Sequence, residues 1–382
     1  MWAQMPFLHA DGANIVDDAG KTIHLGGVNL GGWLVEEMWM QPFQTKPPAG
    51  SEFGEIKDHV TLWRTVEKRC GKTEMAAVRA AFRRSWITEA DFDRIRAANM
   101  NCVRLPFLYD LLDEPDGWRW LDTALTWAKA RNIYVILDLH GAPGRQSGDH
   151  HTGEAGVNCL FSDAALVKQT AAVWTKIAAR YRDHAEVAGY DLLNEPMGAP
   201  NSATLYVVMD KLYEAVRAAD PKHLIFIEDG YKGMQDTPRP APLDWKNVVY
   251  SGHHYNFNAK SESEQTNGAK GQAEYGRNIA KDRQVPYFCG EFQFEPNGTP
   301  NTLQTFIQAA DAGGIAWTIW TYKTCMAGGD KGMWGWHRNT NKLEAINPFT
   351  DAAAEMIAKC SRFRTENLYE DKNMTAAFRT HK

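Results

Sequence analysis

The stretch Asn101–His140, NCVRLPFLYDLLDEPDGWRWLDTALTWAKARNIYVILDLH, contains one complete unit of the fold. Two nearly continuous apolar runs, NCVRLPF (101–107) and NIYVILDLH (132–140), flank WRWLDTALTWAKARN, whose apolar residues recur at helical spacing. Strands without polar alternation suit a parallel sheet covered on both faces. Two parallel neighbours need a crossover, and the helix between them supplies it.

Outward from this unit the pattern repeats. A strand around Leu25–Asn29 precedes it, and VAGYDLL (187–193), HLIFIED (223–229), VVYSGHHY (248–255), VPYFCGEF (285–292) and GIAWTIW (314–320) follow. LVKQTAAVWTKIAARYRDH, LYVVMDKLYEAVRAADP and FIQAADAG are helices between them, Pro221 stops the second of these, and DAAAEMIAK is expected as the final helix. Eight strand-plus-connection repeats favour a closed (β/α)8 TIM barrel, an α/β fold, over an open doubly wound sheet. Before the barrel, FLHADGANIVDDAG reads as a small β-hairpin turning at Asp18-Ala19-Gly20 and covering the barrel floor. No linker rich in Pro, Gly or Ser divides the series. One catalytic domain over residues 1–382 is therefore expected, with the hairpin at about 7–24, the barrel at about 25–360 and a C-terminal extension at about 361–382.

The chain has 382 residues, 44% of them hydrophobic, enough for a large core. A formal net charge of −5 gives no electrostatic case for nucleic acid or an anionic membrane. The start MWAQMPFLHADG lacks a basic segment followed by an apolar run, so a cytoplasmic location is the default expectation, and secretion would require a removed signal. The six cysteines form no metal-like CxxC pair or dense secreted framework, and most are read as thiols. Fourteen Trp and thirteen Tyr supply rings that can stack on the apolar faces of sugars, although most belong to the core.

The strand centres are apolar and their carboxyl ends polar: Arg104, His140, Asn194, Glu195, His253, Tyr255, Glu291 and Trp320 all fall there. That is the face on which barrel enzymes assemble their chemistry. Glu195, in LLNEP, and Glu291, in FCGEF, form the best catalytic couple, because two opposed carboxylates can break an acetal. Arg104 and Tyr255 are expected to hydrogen-bond Glu291, His253 to orient the acid region, and Asn194 to reach a sugar hydroxyl. Trp320 is expected to form a platform beneath the sugar, with Trp33, Trp39, Trp334 and Trp336 as candidates to extend it. His140, Glu36, Glu37, Asp149 and Asp330 are candidate hydroxyl partners. The doublets in GDHHTG and SGHHYN lack a zinc spacing such as HExxH, so no metal is expected. The Gly-rich segments match neither a P-loop nor a dinucleotide fingerprint, no GxSxG is present, and no cofactor is expected.

With these residues in place, the chain resembles glycoside hydrolase family 5 over about residues 7–360. Arg104 stands in VRLP, Glu195 in LNEP, His253 and Tyr255 in a His-x-Tyr, Glu291 in CGEF and Trp320 in WTIWTYKT. The resemblance implies Glu195 as acid/base and Glu291 as nucleophile of a retaining enzyme. GVNLGGWLVEE and DLHGAPG resemble the exo-β-1,3-glucanase and β-glucosidase group, which implies Glu37 and His140 as sugar-binding residues and a β-linked oligosaccharide or glucoside as substrate. Two segments depart from that group: QSGDHHTG lacks the phenylalanine usual in its loop, and VRLPFLYDLL replaces the usual VRIPxGYWA. An endo-acting β-1,4-glucanase or β-mannanase and a non-catalytic glycan-binding barrel are the alternatives, and the oligomeric state is open. For retention the carboxylates should lie about 5–5.5 Å apart, and Glu195 is expected to hold its proton more tightly than Glu291.

Overall fold

The computed structural model describes residues 5–330 and 332–382, so Met1–Gln4, the opening of the start segment, lie outside it. A hairpin of β1 (Leu8–Asp11) and β2 (Asn14–Asp17) comes first. The barrel strands follow: β3 (Gly26–Asn29), β4 (Cys102–Leu108), β5 (Tyr134–Gly141), β6 (Val187–Asp191), β7 (Leu224–Glu228), β8 (Val248–Tyr255), β9 (Tyr287–Gln293) and β10 (Ala316–Ile319). They pair in parallel in chain order, and β10 closes onto β3.

The helices are α1 (His59–Cys70), α2 (Lys72–Trp86), α3 (Glu89–Ala97), α4 (Gly117–Lys129), α5 (Ala164–Tyr181), α6 (Ser202–Ala219), α7 (Glu262–Arg283), α8 (Pro300–Gly313), α9 (Ala353–Cys360) and α10 (Lys372–Phe378). Side-chain caps set several starts: Asp58 and Thr299 close capping boxes, and Asn201 accepts from Thr204 N. Among the described residues the β7–β8 crossover contains two 3-10 turns, Met234–Asp236 and Ala241–Leu243, in place of an α-helix. A small sheet of β11 (Lys323–Thr324), β12 (His337–Arg338) and β13 (Tyr369–Glu370) braces the loop after β10.

Two expectations need correction. The β1–β2 hairpin turns at Gly12-Ala13, where Gly12 adopts φ +54°. The Asp18-Ala19-Gly20 segment forms the next turn, which brings Thr22 back to bridge Val16. The expected final helix, α9, packs on α2, whereas α10 lies against α8. Beyond α10, His381 bonds Asp311 at 2.9 Å and faces Trp317 at 5.2 Å between ring centroids, so residues 361–382 fold onto the barrel.

Alternation along the strands layers the interior. Leu25, Cys102, Ile136, Ala188, Leu224, Phe226, Val249, Phe288 and Ala316 form an apolar lower layer, floored by Leu8 and Ile15 of the hairpin. Two residues further along β4, β5 and β7, the same inward rows carry Arg104, Asp138 and Glu228, all buried. The larger core lies between strands and helices. No helix among the described residues is long and apolar enough to cross a membrane, and the six cysteines are free thiols.

His337 is fully buried against Tyr322 and Trp336, with neither ring nitrogen hydrogen-bonded. Burial depresses its pKa to about 3. Because this lies below the unfolded value of about 6.5, the unfolded chain binds the extra proton as pH falls. Its contribution is intact above pH ~6.5 and about 2 kcal/mol of it is lost by pH ~5. His337→Phe is expected to flatten the loss of stability over that window. Identical urea-unfolding curves against pH for variant and parent would refute this.

Candidate active site

The site starts from Arg104, whose side chain is wholly buried in the polar layer. Its guanidinium donates to Asp191 at 2.8 Å, Glu291 at 2.7 Å, Glu228 at 3.1 Å, Asn194 Oδ1 at 2.9 Å and Asn29 Oδ1 at 3.2 Å, and it lies 3.1 Å from Asp138. A planar fork with five donors can serve this many acceptors where an ammonium could not.

Glu291, on β9, sits in register beside His253 of β8, where the pairing shifts between Gly252 and His253. Its carboxylate accepts from Arg104 and, at 2.8 Å, from the Tyr255 hydroxyl. Glu195 follows β6 in the left-handed region, φ +42°, a conformation that costs a non-glycine residue roughly 1–2 kcal/mol. Its N–H donates to Glu228 at 2.7 Å, which fixes that backbone. Tyr231 donates to Glu195 Oε1 at 2.8 Å, His253 Nδ1 lies 2.8 Å from the same oxygen, and His151 Nε2 lies 3.3 Å from Oε2. One oxygen of Glu195, one of Glu291 and a ring nitrogen of His253 lie within 4.8 Å of one another. Hydrogen bonds from Arg104, Tyr231 and Tyr255 account for this cluster without a metal ion.

The expected order of acidities is reversed. Burial pushes Glu195 up, but its hydrogen bond to His253, the charge of His253 and the Tyr231 hydroxyl hold it well below the ordinary carboxylate range. Burial raises Glu291, and the charge of Glu195 adds to this against the pull of His253 and Arg104. The sequence pointed to the donors of Glu291 and to His253 beside Glu195, but not to Tyr231 and His151, which reach Glu195 from separate loops.

A cleft of about 170 Å³ opens above the two carboxylates, lined by Glu37, His140, Asn194, Tyr255, Trp320 and Trp334 among the expected residues. Trp320 stacks on His140, with centroids 5.6 Å apart and planes within 8°. His140 Nδ1 is held by Asp138 at 2.6 Å. Gln293 donates to the carbonyls of Met333 and Trp334, tying down the loop that carries Trp334. Arg104 and His253 lie beneath the carboxylates and do not line the cleft.

Trp33 is a correction. Past Gly32, which adopts φ +75°, the chain turns its ring out of the barrel, where Nε1 donates to the Arg83 carbonyl and the ring stacks on Trp127 at 6.2 Å. Asp149 is a second correction: it is exposed on the rim, and the 3-10 turn His150–Thr152 presents His150 and His151 to the cleft instead. Trp336 is buried and donates to Thr375, Glu36 is buried with His59 and Trp63, and Asp330 accepts from the backbone of Met326 and Asn339. Trp39 does reach the cleft, donating to Glu37 at 2.9 Å and meeting Trp334 edge-on at 5.2 Å.

Glu228, Tyr231, Phe257, His150 and His151 were not assigned from the sequence. Glu228 had a readable signal, as an acid ending the apolar run LIFIE. Its carboxylate joins Arg104, the Glu195 N–H and His253 Nε2, the last at 3.3 Å. Glu228→Gln presents a donor to one of these donors and leaves it unpaired, at a cost of about 1–3 kcal/mol. A fall of roughly 10–100-fold in kcat/KM is expected on that scale. Unchanged kcat/KM on an aryl β-glucoside would show that Glu195 does not depend on this anchor.

Paired carboxylates above the carboxyl ends of a closed parallel barrel, beside a stacked tryptophan, define a glycoside hydrolase. The chain belongs to glycosyl hydrolase family 5: the family description "Cellulase (glycosyl hydrolase family 5)" matches residues 65–325. It is 28% identical over 380 residues to a beta-xylosidase of Phanerodontia chrysosporium, covering 90% of this chain and 76% of that protein. It is 33% identical over 278 residues to a probable glucan 1,3-beta-glucosidase A of Neosartorya fischeri, covering 70% of this chain and 64% of that one, just under two thirds of its length. The rutinosidase from Aspergillus niger superposes with a TM-score of 0.64 at 19% identity, covering 79% of this chain and 90% of that one. An endogalactoceramidase superposes with a TM-score of 0.63 at 17% identity, covering 94% and 85%. At these identities the two structures support the barrel fold alone.

Proposed function

We propose that this chain is a retaining β-glycosidase that releases glucose from the ends of β-glucosides or short β-1,3-gluco-oligosaccharides. The observation that carries the mechanism is the approach of Glu195 and Glu291 oxygens to within 4.8 Å. Oxygens this close suit carboxyl groups standing at the retaining range of about 5–5.5 Å better than an inverting pair, which stands ~6.5–9.5 Å apart to admit a water. The glucose-from-the-end reading is supported by the small cleft and by the likeness to probable glucan 1,3-beta-glucosidases.

In the first step Glu291 attacks the anomeric carbon while Glu195 protonates the departing oxygen; in the second, Glu195 takes a proton from the water that cleaves the glycosyl ester. The first step needs the proton on Glu195 and a bare Glu291, opposite to the order above. His253 Nδ1, hydrogen-bonded to Glu195 at 2.8 Å, hands Glu195 its proton and recovers one from Glu291, 3.6 Å away, once that contact shortens to hydrogen-bond length. The two carboxylates titrate as a pair, so one proton suffices. Esterification then removes the charge of Glu291, which lowers the affinity of Glu195 for its proton and suits it to act as base.

The test is product analysis on β-1,3-, β-1,4- and β-1,6-linked oligosaccharides together with aryl β-glycosides. Glucose released singly from β-1,3-oligomers, with its anomeric configuration retained, is expected. Internal fragments from β-1,4-glucan or mannan would assign endo action, and glycan binding without turnover would assign a binding barrel.

A further inference from the structure

The histidine doublet His150-His151 lies in a loop that the proposed reaction leaves without a role. His151 is almost fully buried, and its ring reaches two members of the site: Nδ1 is 3.2 Å from Asn194 Nδ2, and Nε2 is 3.3 Å from Glu195 Oε2. Ser147 Oγ lies 3.4 Å from the same Nε2. The orientation of the Asn194 amide follows from chemistry. Arg104 has only donors, and its Nη2 is 2.9 Å from Asn194 Oδ1, so the Asn194 oxygen faces Arg104 and the NH2 faces the histidines. An NH2 cannot accept a hydrogen bond. His151 Nδ1 must therefore carry the lone pair and Nε2 the hydrogen, which points at Glu195.

We propose that His151 is a positioning residue for Glu195, held as the neutral Nε2–H tautomer by a directed chain of donors running Arg104 to Asn194 to His151 to Glu195. The proposal rests on the glycosidase reading above, with Glu195 as acid/base. Its consequence is that one guanidinium serves both carboxylates, Glu291 directly at 2.7 Å and Glu195 through two intervening side chains. A second proton on His151 would set N–H against N–H at Asn194, so the chain itself opposes the cationic form. Burial acts in the same direction, holding His151 below the ordinary imidazole range although Glu195 lies beside it. The other titratable groups facing the ring are His140 on β5, Glu37 after β3, and Asp149 and His150 of its own loop. Those facing Glu195 are His253, Tyr231, Glu228 and Glu291.

The experiment compares His151→Phe with the parent on aryl β-glucosides of graded leaving-group acidity. Removing an N–H that favours ionised Glu195 raises its affinity for the proton, so the alkaline limb of kcat/KM should move up by about one pH unit. Loss of orientation should lower kcat/KM by ~10-fold or more for poor leaving groups that need the proton, and little for dinitrophenolate, which does not. Equal losses on all leaving groups with an unmoved limb would overturn the proposal. Labelling of Glu291 by 2,4-dinitrophenyl 2-deoxy-2-fluoro-β-glucoside in both proteins shows that site and fold survive. Failure of the parent to be labelled would count against the glycosidase reading instead. Should His151→Phe not fold, ¹⁵N-histidine spectra of the parent decide, with the His151 signals assigned through His151→Gln. A hydrogen on Nδ1 near neutral pH would refute the chain.

Discussion

Glu291→Gln is expected to lose at least ~10⁴-fold in kcat on any aryl β-glucoside, about 5 kcal/mol of transition-state stabilisation, while binding substrate with little change in affinity. The amide is nearly isosteric, so the hydrogen bond from Arg104 and the packing of β9 can persist, with the new NH2 donating to the Tyr255 hydroxyl, but a neutral amide cannot form the glycosyl ester. Two further results should accompany the loss. The variant should resist labelling by the fluoro-glucoside, and Glu291→Gly, which leaves room for a small anion, should regain turnover of an activated substrate in azide or formate with inversion at the anomeric carbon. The companion Glu195→Ala should instead be rescued by azide with retention, since there the added anion attacks the glycosyl ester. Turnover by Glu291→Gln near the parent rate would refute Glu291 as nucleophile.

Arg104→Met should be the most destabilising single change in the site. It strips one cation from contact with Asp138, Asp191, Glu228 and Glu291, all buried. Breaking a buried ion pair by removing one partner costs about 3–5 kcal/mol, because the remaining charge is left uncompensated. For a chain of this size that corresponds to a fall in Tm of roughly 4–6 °C. The pH dependence separates this cause from simple loss of packing. Without Arg104, the orphaned carboxylates take up protons at higher pH in the folded chain than in the unfolded one. Stability gained this way is present in acid and lost as pH rises through the raised folded values. The gap between variant and parent should therefore narrow from pH 8 to pH 5, and a constant gap would show that methionine fails for want of fit. Activity should vanish throughout, since Glu291 loses its 2.7 Å donor.

What the sequence disclosed depended on whether the cause was local. The barrel strands could be read because burial on both faces makes each an apolar run, and VVYSGHHY coincides with β8 residue for residue. Helix α7 gives the opposite case: it buries only small or polar residues, among them Ala269, Ala273, Gly276 and Ala280, so no apolar stripe marks it. Glu195, Glu291 and Tyr255 stand at or near the carboxyl ends of their strands, where position implies direction; Arg104, expected there too, is the third residue of β4 and reaches Glu291 from the layer below. Trp33 and Asp149 lie in loops, where one turn decides whether a side chain faces the cleft or the helices. His151 stands at the same kind of turn and faces inward. The order of acidities was hidden because it depends on which loops meet over Glu195, a matter of long-range geometry.

The crossover between β7 and β8 brings Tyr231 to Glu195, and it does so without an α-helix behind it among the described residues. Tyr231 is half exposed, at 50%, with φ +59°, and Phe257, 59% exposed, stands at the end of the next strand. The acid/base thus takes its backbone anchor from the rigid barrel and one of its side-chain donors from the start of a crossover whose later residues bond to α6 and α7 through Thr237, Arg239 and Trp245. Tolerance of new leaving groups, whether by natural drift or by engineering, should concentrate in residues 229–233, ahead of those helix contacts, while the nucleophile's surroundings stay fixed.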